Sequence, residues 1–231
     1  MRGYTNSTEI KMYSVLILMT LPTAALCYNG QLSLGAIGPT TLLIMLFVIL
    51  TTSFVDVPIA KIRSKKLEQL TRYAPILEDI YSVPVVRELN IGKDRVFDTT
   101  VTLNLGGAII PALMIVYVLL MEPNTTALQV MLIVVVVATL LSEMTAGVGI
   151  VTPVAIGITA LPFSLIVAPD NAAVITFIAG VGGILIGNAI SAMTFNRERS
   201  GSAFISIGGA GSFIPIYITI IVAVLISYFI H

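Results

Sequence analysis

Long apolar runs without a lysine or arginine recur seven times along the chain, at approximately residues 12–28, 37–60, 106–120, 127–142, 151–168, 172–195 and 212–230. A helix needs about 20 apolar residues to cross the hydrocarbon, fewer where polar ends snorkel, so each run is a candidate span. Between the second and third runs, residues 61–105 are long enough to hold structure of their own. From Ile62 to Tyr81 the apolar Leu67, Leu70, Ala74, Leu77 and Ile80 recur at helical spacing among charged residues, the pattern of an interfacial amphipathic helix bent near Pro75. The β-rich stretches 83–86 and 96–103, separated by Asn90-Ile91-Gly92-Lys93-Asp94, predict a hairpin.

Composition turns these runs into an architecture. With 57% hydrophobic and 10% charged residues, the chain has too little polar surface to cover a soluble domain, so the bilayer is its solvent. The expected fold is an all-α integral membrane protein of about seven transmembrane helices, with a small cytoplasmic β-sheet or hairpin formed by the 61–105 insertion, the whole chain 1–231 being a single polytopic domain.

Net charge adds nothing, because 12 Lys+Arg offset 12 Asp+Glu and no basic excess points to nucleic acid. Position is informative. Alternating the spans puts every cationic residue, from Arg2 and Lys11 through Lys61–Arg95 to Arg197 and Arg199, on the side of the N-terminus, while the opposite loops carry only Glu122 and Asp170. The positive-inside rule makes that first side cytoplasmic and the C-terminus external, in the cell membrane. A basic start, an apolar stretch at 15–21 and the small residues Thr23-Ala24-Ala25 also fit a cleavable signal peptide, the less favoured reading of the first run.

Few residues offer chemistry. One cysteine, Cys27, and one histidine, His231, exclude an intrachain disulfide and any Cys/His metal cluster, and no cofactor is expected. Asn124-Thr125-Thr126 is a glycosylation sequon, a weak signal at three residues. Gly180, Gly182, Gly183 and Gly187 in the sixth run suit close helix packing, and Pro22, Pro111, Pro153, Pro162 and Pro215 suit kinks.

An internal repeat is more specific. Thr102-Leu103-Asn104-Leu105-Gly106-Gly107-Ala108 matches Phe204-Ile205-Ser206-Ile207-Gly208-Gly209-Ala210, each before an apolar run containing a proline. Both copies have the same orientation, a parallel repeat of the kind found in some transporters. Strands 83–86, 96–103 and 204–207 should therefore lie side by side, with Asn104 and Ser206 on one face. Glycines at such a strand-to-helix turn can expose backbone N–H groups to an anion, or can let the chain turn and pack closely. Asn104, Gly106, Gly107, Ser206, Gly208, Gly209 and Gly211 are thus candidates for a ligand-binding or a packing turn, with packing favoured. Asp56 and Asn188 are the candidate polar positions at the membrane edge. Asp56 lies within a turn of Lys61, and a snorkelling pair is the expected role.

The motifs Asp56-Val57-Pro58, Asn104-Leu105-Gly106-Gly107-Ala108-Ile109-Ile110-Pro111, Gly147-Val148-Gly149-Ile150, Ala168-Pro169-Asp170-Asn171-Ala172 and Ser206-Ile207-Gly208-Gly209-Ala210-Gly211 make the chain resemble, from about Asp56 to Leu225, an uncharacterised prokaryotic family of polytopic membrane proteins of unknown function. The family pattern carries aspartates where this chain has Asn188 and Ile214. Such a facing pair is similar to the arrangement of presenilin-type intramembrane aspartyl proteases, and with both acids replaced the resemblance implies no such catalysis here. The expectation is a non-catalytic subunit or scaffold whose partners are the bilayer and other membrane subunits or further copies of itself. The alternative is a small transporter or channel for an anionic or carboxylated solute.

Overall fold

The computed structural model describes residues 7–65, 75–76, 78–80, 96–145, 149–194 and 204–230. The first two helices are α1 (Ser7–Tyr28) and α2 (Pro39–Thr52), joined by a tight turn in which Leu34 and Ile37 pair and Gly35 adopts a φ of 55°. Among the described residues three strands form one sheet: β1 (Asp56–Lys65), β2 (Val96–Asn104) and, far later, β5 (Phe204–Ile207). Helix α3 (Leu105–Met121) leaves β2 through a π-turn at Leu105–Ile109, and α4 (Thr125–Leu141) returns. A short hairpin of β3 (Glu143–Thr145) and β4 (Gly149–Val151) follows. The remaining helices are α5 (Gly157–Val167), the irregular α6 (Pro169–Thr194) and α7 (Phe213–Ile230).

Three of these, Lys11–Tyr28, Pro169–Thr194 and Phe213–Ile230, are long and apolar enough to cross a membrane. The other four apolar helices are only 10–17 residues long. The largest departure from the sequence expectation is the second run: its helix stops at Thr52, and Asp56 onward is strand. The hydroxyls of Thr51, Thr52 and Ser53 bond back to carbonyls of Phe47, Val48 and Leu50, which loosens the last turn. The alternating β-branched residues from Val55 to Ile59 then favour extended backbone.

Strand β1 pairs antiparallel with β2, from Asp56 opposite Asn104 to Lys65 opposite Val96, with a bulge between Pro58 and Ala60. Pro58 cannot donate to a ladder, and β1 is an edge strand, where such a break is tolerated. Residues 62–65, expected as the start of an amphipathic helix, thus belong to β1. Of the rest of that helix only short helical pieces at 75–76 and 78–80 are described, and the 83–86 strand lies outside the described residues. The 96–103 strand is present and paired with β1, while the other strand and the turn of the expected hairpin lie outside the described residues.

β2 and β5 pair in parallel, Thr100 opposite Phe204 and Leu103 opposite Ile207, the side-by-side arrangement expected of the repeat. Beneath the sheet Val101, Ile205, Ile150 and Ala192 form a small buried cluster.

Glycines set the distances between helices. A Cβ on Gly183 or Gly187 of α6 would strike Val134 or Ala138 of α4, the latter at 2.6 Å. Gly157 of α5 and Gly180 of α6 both lie against Thr219 of α7. Small residues are what permit backbones to approach this closely. Helix α1 belongs to the same core: Tyr13 and Leu16 are buried, Thr20 Oγ1 and Tyr217 Oη share a hydrogen bond of 2.9 Å, and Tyr13 hydrogen-bonds Ser53 at 2.7 Å while stacking on Phe54.

Candidate functional site: the junction of the two glycine turns

The two copies of the repeat meet at one end of the helix bundle. Because β2 ends at Asn104 and α3 starts at once, Asn104 occupies the N-cap of α3, in extended backbone. Its Oδ1 accepts the Gly107 N–H at 2.8 Å, while its Nδ2 donates to the Ser53 carbonyl at 2.6 Å and to Asp56 Oδ1 at 3.1 Å. One fully buried amide therefore ties the end of α2, the start of β1 and the first turn of α3. The Leu105 N–H adds a bond to the Val55 carbonyl at 2.8 Å.

Ser206 reaches the same carboxylate from the other copy, donating from Oγ to Asp56 Oδ1 at 2.7 Å. Sequence alignment of the repeat matches Asn104 to Ser206, yet in the sheet Ser206 sits opposite Thr102. The copies are offset by two residues, so both polar side chains keep the same face and converge on Asp56 from different positions along the strands.

The glycines close the junction. A Cβ on Gly107 would coincide with the Gly208 carbonyl oxygen, and one on Gly208 would lie 2.5 Å from the Gly107 carbonyl carbon. Gly106 is in the same relation to Ile49 and Ser53 at the end of α2, and Gly209 to Ser206 and, at 2.9 Å, Asp56 Oδ1. Gly208 and Gly211 have φ of 75° and 85°, conformations that a residue with a Cβ adopts at a cost. Gly211 also meets the hairpin, its carbonyl accepting the Thr152 N–H at 3.0 Å.

All seven candidate turn residues thus belong to one region, and Asp56 stands at its centre. The expected Lys61–Asp56 pairing does not describe it. Within a strand, and past a bulge, Lys61 lies opposite Thr100 while Asp56 lies opposite Asn104, four ladder positions and about 13 Å away at 3.3 Å per residue. That pairing presupposed a helix. Of the two readings of the turns, the less favoured one, N–H groups exposed to an anion, does not hold for Gly107, whose N–H is taken by Asn104 and which is itself buried. Asn188, the other candidate polar position, is fully buried towards the sheet end of α6.

A family model described as a protein of unknown function (DUF1614) matches residues 50–226. The chain belongs to that family. The DUF1614 segment begins in the last turn of α2 and ends in the last turns of α7, so it contains Asp56, both glycine turns and the whole sheet. No curated protein and no solved structure matches the chain. The likeness to presenilin-type proteases accordingly has no support: among the described residues Asn188 is held by Ser142 and Thr152.

At the other end of the bundle, where α1 turns into α2 and α3 into α4, Ser33, Gly35, Glu122, Asp170 and Asn171 line a pocket of about 240 Å³. The sequon residue Asn124 serves there as N-cap of α4, its Oδ1 accepting the Ala127 N–H at 2.9 Å.

Proposed function

We propose that this chain is a multi-pass membrane protein whose seven apolar helices all lie within the bilayer, N-terminus cytoplasmic and C-terminus external, and that it works as a non-catalytic subunit or scaffold. The observation that carries this reading is helix length. Four of the apolar helices have 10–17 residues, and at 1.5 Å per residue even the longest reaches about 26 Å against a hydrocarbon core of about 30 Å. Short spans relieve such mismatch by thinning the bilayer or by lateral association, and these carry outward-facing apolar residues such as Leu113, Leu120, Leu132 and Leu140. The glycine junction supports the same reading. Its turns fill one another, and the Asp56 carboxyl stands where an anion would otherwise be drawn, which makes it a structural joint between two halves.

Extraction in mild detergent followed by native mass measurement tests the proposal. A particle heavier than one chain, with stoichiometric further subunits or copies, is expected. A strictly monomeric, partnerless particle overturns it.

A second reading, a small transporter for an anionic or carboxylated solute, draws on the parallel pairing of β2 with β5, since parallel repeats occur in some transporters. Flux in reconstituted vesicles above that of empty liposomes would favour it over the scaffold.

A further inference from the structure

Asn188 makes only part of the hydrogen bonds its amide is capable of. Its Oδ1 accepts from Thr152 Oγ1 at 3.0 Å and is 3.3 Å from the Ser142 hydroxyl, which ends α4. Its Nδ2, by contrast, is buried without a partner among the described residues, and the hydroxyls of Ser191 and Ser212 are in the same condition. These groups belong to one neighbourhood. Ser191 is three residues beyond Asn188 on α6 and so shares its face. Ser212 follows Gly211, whose carbonyl accepts the N–H of the same Thr152 that holds Asn188.

The proton inventory says what is missing. The amide nitrogen brings two donors, and each serine hydroxyl brings one donor and an acceptor oxygen. The amide nitrogen has no acceptor site, so its absent partner must accept hydrogen bonds. The three described groups that would meet it, Asn188, Ser191 and Ser212, are neutral, and burying a bare anion among neutral groups is costly. A water molecule accepts two bonds and donates two, and buried polar groups left unpaired by the chain are the usual seats of structural water.

We propose that one water molecule is bound at this point, accepting from Asn188 Nδ2 and bridging it to the hydroxyl of Ser191 or Ser212. It links the sheet end of the irregular helix α6 to Ser212, just before α7, or completes α6's own turn, beside the contact of Thr152 with Gly211. Through Ser212, helix α6 would gain a further polar tie to the sheet end of the bundle, in addition to Thr152 and Ser142.

Two measurements on the full-length protein test this. In a structure at a resolution that shows ordered solvent, an oxygen peak should lie within hydrogen-bond distance of Asn188 Nδ2 and of a serine hydroxyl. A dry site, with Nδ2 donating straight to Ser191 or Ser212, overturns the proposal, as does a bromide signal at that position in crystals grown with bromide, which would mark a halide. The second measurement is thermal unfolding of Ser191→Ala and Ser212→Ala. A hydroxyl that is truly unpaired costs nothing to remove and its loss can stabilise. If it holds the water, at least one variant melts lower by roughly 2–4 °C, the shift of about 1 kcal/mol in a chain of this size. Unchanged or raised melting in both overturns the proposal.

Discussion

Ser206 donates its hydroxyl to Asp56 Oδ1 at 2.7 Å, joining residues 150 positions apart. The same oxygen receives the amide of Asn104 at 3.1 Å, so a single carboxyl binds both copies of the repeat. Residues in one such network couple energetically. A double-mutant cycle of Asp56→Asn and Ser206→Ala, followed by denaturation in detergent, should give a coupling of about 0.5–3 kcal/mol. Strictly additive effects would show that the contact holds nothing together.

Substitution of the buried glycines tests the closed junction. Gly107→Ala should already be disruptive, because its Cβ falls on the Gly208 carbonyl, and Gly107→Val and Gly209→Val more so. Overpacking of this kind costs about 1–3 kcal/mol. Folded yield and partner retention should fall together. Were a Val variant to stay folded and assembled while losing a ligand response, the transporter reading would gain and the scaffold reading would be wrong.

Orientation is open to direct labelling. A cysteine placed beside Lys93 should react with an impermeant reagent only from the cytoplasm, and one beside Asn124 only from outside, in a background where Cys27 is buried. The reverse pattern would invert the assignment.

The first helix should remain in the mature protein. Thr20 and Tyr217 are both buried and bonded, so removing residues 1–28 strips partners from α7 and from Ser53. The truncated chain should fail to give a folded particle. Tyr217→Phe, which removes only the shared hydroxyl, should cost about 0.5–1.5 kcal/mol by thermal or denaturant unfolding. An intact-mass spectrum lacking the first helix would refute the expectation.

Apolar runs located the seven apolar helices among the described residues, because hydrophobic length is a local property of the chain. The repeat pointed to β2 and β5 lying side by side, though not to their register. What escaped was the end of the second run, where Thr51, Thr52 and Ser53 unwind a helix whose hydropathy continues unbroken into β1. Hydropathy cannot distinguish an apolar edge strand, exposed here at Val57 and Ile59, from one more helical turn. Asp56 was noticed as an acid near a helix end, and its partners were not foreseeable, since Asn104 and Ser206 reach it only through the sheet register. The two-residue offset between sequence alignment and strand pairing had no sequence signal. Nor had the burial of Asn188, which depends on how closely Gly183 and Gly187 let α4 approach.

The parallel pairing of β2 with β5 also dictates an order of events during synthesis. Helices α1 to α6 are translated before Phe204–Ile207 has left the ribosome. Until then β2 has an open edge, Asp56 lacks the Ser206 hydroxyl, and the Gly107 turn has no Gly208 to rest on. The nascent protein is thus a nearly complete bundle with an unsealed cap, vulnerable to strand pairing with a neighbour and dependent on its last helix to close it.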